Sequence, residues 1–269
     1  MKQAESYKII DAHTHIFPEK IAVKASKNIG HFYDIPMRYD GMAHTLVESG
    51  RRIGVSKYLV CSTATKPEQV ESINDFLESK CKQYPEFFGF ATLHPAYPDI
   101  ERELDRIAQK GLHGIKLHPD FQAFDIDAPE AITMYKAIAK RGLPILFHTG
   151  DDRYDYSAPK RLYYAMSEVP DMVSIAAHFG GYRRWEEADR YLQVPNVYFD
   201  TSSSLFKLSP EDARAMIAHM GEDRFFFGTD YPMWDHEEEL ARFMNLKLSR
   251  EQNEKIFHQN FEKLFGIQV

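Results

Sequence analysis

Histidine, lysine and aspartate recur at the ends of apolar runs in this chain, most densely at Asp11-Ala12-His13-Thr14-His15. The stretch from Tyr7 to Ile10 just before it reads as a strand. Successive side chains of a strand alternate faces, so His13 and His15 emerge on one side and converge. Neutral imidazole is the commonest metal ligand, and two of them on a stiff strand end supply half of a four-coordinate zinc site, at roughly 2.0–2.1 Å per bond. For an isolated H-x-H, a pair of surface or core histidines is the competing reading. The rest of the chain weighs against it, because further apolar runs end in Lys116 and His118, His148, His178, Asp200 and Asp230. Strand interiors strongly disfavour charge, so a rim of such endings points to one polar site.

Those residues need elements that gather them. Residues 57–61, 87–93, 112–118, 144–148, 173–178, 196–200 and 224–230 read as the strands that follow the first. Helical stretches separate them at 18–28, 42–53, 66–83, 99–110, 128–141, around Tyr163 and Tyr164, 183–192 and 210–220, and 249–265 closes the chain. Eight strands alternating with helices is the count of an α/β fold of the (β/α)8 TIM-barrel type, which usually takes about 250 residues. With 269 residues and no linker, the expectation is one catalytic TIM-barrel domain over 1–269. Catalytic groups of such barrels sit at the C-terminal ends of the strands, where the polar residues above fall. Within 112–118, Ile115 and Leu117 face one way, and Lys116 and His118 the other. The long connection after the first strand carries His31, Tyr33 and Arg38, which either line a pocket or belong to a solvated loop.

A hydrophobic content of 43% with 13% aromatic residues supplies a large core and argues against disorder. The net charge of -7 disfavours nucleic acid and anionic membrane as partners, which leaves a small-molecule substrate. Cys61 and Cys81 are too few for a disulfide framework or a cysteine metal site, and are expected to be reduced and buried. Residues 1–8 are polar without an apolar signal core, and no run of about 18 apolar residues occurs, so the expected location is the cytoplasm. Aromatic residues across 154–164 offer a face for a homodimer.

Several motifs together carry a resemblance. The D-A-H-T-H start, His148 before Thr149-Gly150, His178 before Phe179-Gly180-Gly181, and Gly228-Thr229-Asp230-Tyr231-Pro232 resemble the amidohydrolase superfamily. More narrowly, Gly114-Ile115-Lys116-Leu117-His118-Pro119 resembles the amidohydrolase-related group that includes aminocarboxymuconate semialdehyde decarboxylase and related non-oxidative decarboxylases. The likeness runs from residue 9 to the closing Asn260-Phe261-Glu262-Lys263-Leu264-Phe265. It implies a metal-dependent TIM barrel with His13, His15, His148 and Asp230 around the metal, and with His178 beside the reacting water or substrate.

That donor set makes chemical sense. Three neutral histidines and one carboxylate leave Zn2+ a charge of about +1, and a bound water then has its pKa drawn from 15.7 to roughly 7. Asp230 is the candidate base, and His178 the group that orients water or protonates a leaving group. One zinc ion is the expectation, with room for a second metal if Lys116 is a carbamylated bridge, as in some superfamily members. The favoured role for Lys116 is instead to pair with a substrate carboxylate or oxyanion, alongside His118 and Arg153 as substrate contacts; a structural pairing with Asp120 is the alternative. Asp200 either orients another site residue or caps Thr201-Ser202. The expected activity is hydrolysis of a small-molecule amide, ester or lactone. The alternative is non-oxidative decarboxylation of an unsaturated or aromatic acid, and the modest chain length favours the hydrolase.

Overall fold

The computed structural model describes residues 7–269, so most of the stretch 1–8, noted above for its polarity, lies outside the described residues. The chain divides into two compact units, one of residues 1–60, 85–87 and 200–269, the other of 61–84 and 88–199.

The first unit is organised on β1 (Ile9–His15), which pairs with β2 (Val55–Cys61). β1 is buried along nearly its whole length, as expected of a parallel strand covered on both faces. The helices α1 (Glu19–Tyr33) and α2 (Ala43–Arg51) follow it. α1 runs five residues beyond the expected 18–28 and stops where Asp34 takes a left-handed conformation. Later in the chain come α9 (Pro210–Met220) and β9 (Phe225–Phe226). For α9 the expected bounds and the observed ones coincide, because Ser209 accepts from Asp212 N and Pro210 occupies the first turn.

The expected strand 224–230 is regular only over the two residues of β9. Beyond it the chain still runs along β1, with Ala12 N donating to Phe227 O at 2.8 Å, Asp230 N to His13 O at 2.8 Å and His15 N to Tyr231 O at 2.7 Å. Asp230 has a φ of 58°, which breaks the strand pattern there. α10 (His236–Met244) was not anticipated. Its signals are local: Asp235 caps the N-terminus through Glu237 N and Glu238 N, and three glutamates fill the first turn. The helix buries Leu240 and Phe243, and the Phe243 ring packs against Phe227 and Phe257. The expected closing helix 249–265 is α11 (Arg250–Glu254) and α12 (Asn260–Phe265), joined by a π-helical turn over Lys255–Gln259.

The second unit contains α3 (Val70–Gln83), most of β3 (Phe87–Gly89), and five strands in sequence order: β4 (Ala91–Thr92), β5 (Ile115–Leu117), β6 (Ile145–Phe147), β7 (Ser174–Ala176) and β8 (Val197–Asp200). All are parallel, with Ala91 opposite Ile115, Ile115 opposite Ile145, Ile145 opposite Ser174, and Ser174 opposite Val197. Helices α4 (Ile100–Gln109), α5 (Pro119–Gln122), α6 (Pro129–Lys140), α7 (Pro159–Glu168) and α8 (Trp185–Tyr191) connect them. The expected strand 87–93 is interrupted at Phe90. Asn74 of α3 compensates by pairing with the Thr92 backbone, accepting from its N at 2.8 Å and donating to its O at 3.1 Å. The strands are shorter than expected, so His118 and His148 lie one residue past β5 and β6, and His178 two past β7. No helix among the described residues is long and apolar enough to cross a membrane.

Candidate metal centre

In the first unit, the alternation of β1 brings the two imidazoles together as anticipated, with Nε2 of His13 and His15 3.2 Å apart. Asp230 joins them: its Oδ1 lies 3.4 Å from His15 Nε2 and 3.8 Å from His13 Nε2. The His13 side chain is fully buried, whereas those of His15 and Asp230 keep 15% and 12% of their surface open, so a ligand can reach the cluster.

Two of the three side chains, His13 and Asp230, are held from behind. His13 Nδ1 lies 2.8 Å from Asp200 Oδ2, and because a carboxylate only accepts, the proton belongs on Nδ1 and Nε2 presents its lone pair. Asp200 Oδ1 meanwhile accepts from Ser202 N at 3.0 Å and Ser202 Oγ at 2.5 Å. Both sequence readings of Asp200 therefore hold, one per oxygen. The Ser203 hydroxyl donates to Asp230 Oδ2. Gly228 permits the close approach, since a Cβ there would stand 3.0 Å from His13 Cβ. Two imidazole nitrogens and a carboxylate oxygen, all within 4.8 Å of one another, form a donor set that suits a divalent ion of the zinc or manganese kind.

The second unit carries its own cluster. His118 caps α5, its Nδ1 accepting from Phe121 N at 3.3 Å, and its ring stacks on Phe121 at 3.7 Å and on His148 at 3.9 Å. The ring anticipated as a substrate contact thus also holds a turn. His148 Nδ1 lies 3.0 Å from His178 Nε2, and its Nε2 is 3.7 Å from Asp120 Oδ2. His178 and Phe179 both have left-handed backbones, with φ of 62° and 55°, and Trp185 Nε1 donates to His178 O at 3.0 Å. Lys116 is fully buried within β5.

Asp120, which the sequence offered only as a partner for Lys116, is a member of this cluster. Its Oδ2 accepts from Ser157 Oγ at 2.5 Å, while Oδ1 has no hydrogen-bond partner among the described residues. Burial pushes its carboxyl up to about 6, and the nearby Asp151 adds to the effect. Arg153, anticipated as a substrate contact, grips Asp151 with Nε at 2.9 Å and Nη2 at 2.6 Å. The fork that would take a substrate carboxylate holds a protein one instead.

Sequence reasoning also missed Ser203, whose local signal is the polar run after Asp200, and His236, the partner of the Asp11 that flanks the two histidines. Asp11 Oδ2 lies 3.1 Å from His236 Nε2, and both side chains are fully buried.

No curated protein sequence matches this chain. Solved structures do. The 5-carboxyvanillate decarboxylase from Sphingomonas paucimobilis superposes with a TM-score of 0.77 at 15% identity, covering 98% of this chain and 100% of that one. A dihydroxybenzoic acid decarboxylase from Polaromonas sp. JS666, solved with manganese and the inhibitor 2-nitroresorcinol, gives 0.74 at 16%, covering 97% of each chain. A protein assigned as a 2-pyrone-4,6-dicarboxylic acid hydrolase from Pseudomonas putida gives 0.68 at 18%, covering 97% of this chain and 98% of that one. At such identities the likeness shows the fold, the α/β TIM-barrel class expected from the strand count. A sequence profile described as amidohydrolase matches residues 10–267, a span that takes in the residues of both clusters. A profile of that extent, with a His/His/Asp set that supports a divalent metal, makes the chain a member of the amidohydrolase family.

Proposed function

We propose that this protein is a metal-dependent hydrolase of a small-molecule amide, ester or lactone. The observation that carries the reading is the Asp230 carboxylate, which turns one oxygen to the Nε2 atoms of His13 and His15 and the other to Ser203. His13, His15 and Asp230 would hold the ion, and the family pattern adds His148. A divalent ion there supplies Lewis acidity that brings the pKa of a water to roughly 7. Asp200 keeps the proton on His13 Nδ1, Asp230 accepts the proton of the attacking water, and His178 protonates the leaving group. Lys116 takes a substrate carboxylate or oxyanion by a charge-assisted hydrogen bond, next to His118. Zinc remains the proposed ion on chemical grounds, while the manganese of the Polaromonas structure makes manganese its direct competitor.

Non-oxidative decarboxylation of an unsaturated or aromatic acid stands level with this reading. Decarboxylases and assigned hydrolases alike share this fold. The length argument for hydrolysis also loses its force, since the match spans 98% of this chain and 100% of a decarboxylase. In this second reading His178 or Asp230 delivers a proton to carbon. The test loads the purified protein with Zn2+ or Mn2+ and offers lactones, amides and aromatic acids while following ring opening, amine release and CO2. Hydrolysis without CO2 establishes the first reading. CO2 release with no hydrolytic product replaces it with the second.

A further inference from the structure

Asp11 and His236 lie fully buried in the first unit, and neither metal ligation nor proton transfer, as argued above, employs them. Asp11 Oδ1 accepts from His13 N at 3.2 Å and from Thr229 N at 3.0 Å, and Oδ2 accepts from Thr229 Oγ1 at 2.5 Å. His236 Nε2 stands 3.1 Å from the same Oδ2, off the line of a good hydrogen bond, and its Nδ1 lies 2.8 Å from Ser49 Oγ on α2. The Tyr58 ring closes over His236 edge to face at 6.2 Å. A buried carboxylate is costly unless donors surround it, and these donors come from β1 and from the segment after β9, with the His236 ring of α10 set beside them.

Thr229 is the residue before Asp230, whose φ of 58° is unusual for a side chain other than glycine. Such a conformation persists where its surroundings over-determine it. Here they do. Asp11 holds Thr229 by both N and Oγ1, Thr229 Oγ1 accepts from Tyr231 N at 3.2 Å, and His13 O accepts from Asp230 N at 2.8 Å. His236 in turn backs Asp11 and braces it against α2.

We propose that His236 is a positioning residue: acting through Asp11 and Thr229, it sets the left-handed backbone of Asp230 and so the placement of the Asp230 carboxylate beside His13 and His15. The inference rests on the reading of those three residues as a metal centre. His236 is argued to act through Asp11, so its effect must be read at the metal rather than from stability alone.

The experiment loads wild type, His236→Phe and His236→Gln with Co2+, recording the visible spectrum and the affinity by chelator competition. His236→Phe should weaken Co2+ binding by about 10–100-fold and change the spectrum, as loss of an outer support of a metal site does. His236→Gln, which returns an amide donor towards Asp11, should recover most of both. Thr229→Val cuts the same path at an isosteric side chain and should reproduce the spectral change, which keeps the test decisive if His236→Phe does not fold. Wild-type spectrum and affinity in His236→Phe, or in Thr229→Val, overturn the inference even if melting temperature drops. Wild type that takes up no Co2+ overturns the metal reading and this inference with it.

Discussion

In the β1 cluster the carboxylates are spoken for: Asp200 gives one oxygen to His13 and the other to Ser202, and Asp11 spreads its two over His13 N, Thr229 and His236. The cluster after β5 and β6 is built otherwise. There His148 pairs with His178 and stacks on His118, and Asp120 keeps an oxygen without a hydrogen-bond partner among the described residues and a carboxyl pushed up to about 6. Fixed tautomers and fully bonded carboxylates suit a resident charge that must not move. Linked imidazoles beside a carboxyl that burial pushes up to about 6 suit a proton that must. We propose on this contrast that the first cluster holds the ion and the second handles protons, a division to be tested because His118, Asp120 and His148 also offer ligand atoms within 4.8 Å of one another.

Removing a ligand from the first cluster should do the most damage. His13→Ala is expected to carry well under half an equivalent of metal by elemental analysis and to lose the metal-dependent part of its melting temperature, because an ion that binds only the folded state stabilises it by linkage. The same measurement on His148→Ala tests whether the family's fourth ligand applies here; full metal content would leave His148 with the proton-handling cluster alone.

Next in size is His178→Asn, where the contrast between the clusters is sharpest. Metal content and stability should stay near wild type while kcat falls by roughly 10²–10⁴-fold, the usual loss for a proton-transfer group. Loss of the metal in this variant would erase the division of labour.

Asp200→Asn is expected to act more gently, lowering metal affinity by about 10–100-fold without abolishing binding, since it weakens the brace on His13 and leaves the ring in place. A chelator titration that matches wild type would show that Ser202, 3.1 Å from His13 Nδ1, suffices alone.

The smallest effect concerns pH. Burial pushes the Glu239 carboxyl up to about 8, with Asp230 and Asp11 adding to the shift and Arg242 opposing it. A folded-state pKa above the ordinary 4.5 means that the folded protein holds this proton more tightly than the unfolded chain. Its favourable contribution is therefore complete below about pH 4.5 and is lost as pH rises through about 8. Glu239→Gln should flatten the fall in stability across that window, seen as a smaller drop in melting temperature between pH 5 and pH 8 than in wild type. An unchanged pH profile would mean that Arg242 keeps Glu239 ionised throughout.

Much of this architecture can be read along the chain. The period of two puts His13 and His15 on one face, and helix α9 announces its start with Ser209 and Pro210. The end of β9 and the existence of α10 escaped for opposite reasons. Residues 224–230 look like a strand because they are apolar, yet Asp230 departs from strand geometry to meet β1. The helix at 236–244 carried its cap and its acidic first turn in plain view, with an apolar face of only a few residues.

Residue types and short-range spacing thus specified the alternation of strands and helices, the pair of ring nitrogens that meet, and the class of ion they suit, because each depends on neighbours within a turn or two of chain. The partners of those groups did not follow from spacing. Asp200 reaches His13 across 187 positions and Thr229 reaches Asp11 across 218, contacts that exist only once β1 is flanked by the segments after β8 and β9. A hydrogen bond needs its atoms placed within a few tenths of an ångström and aligned, and packing alone supplies that placement between segments so far apart in the chain.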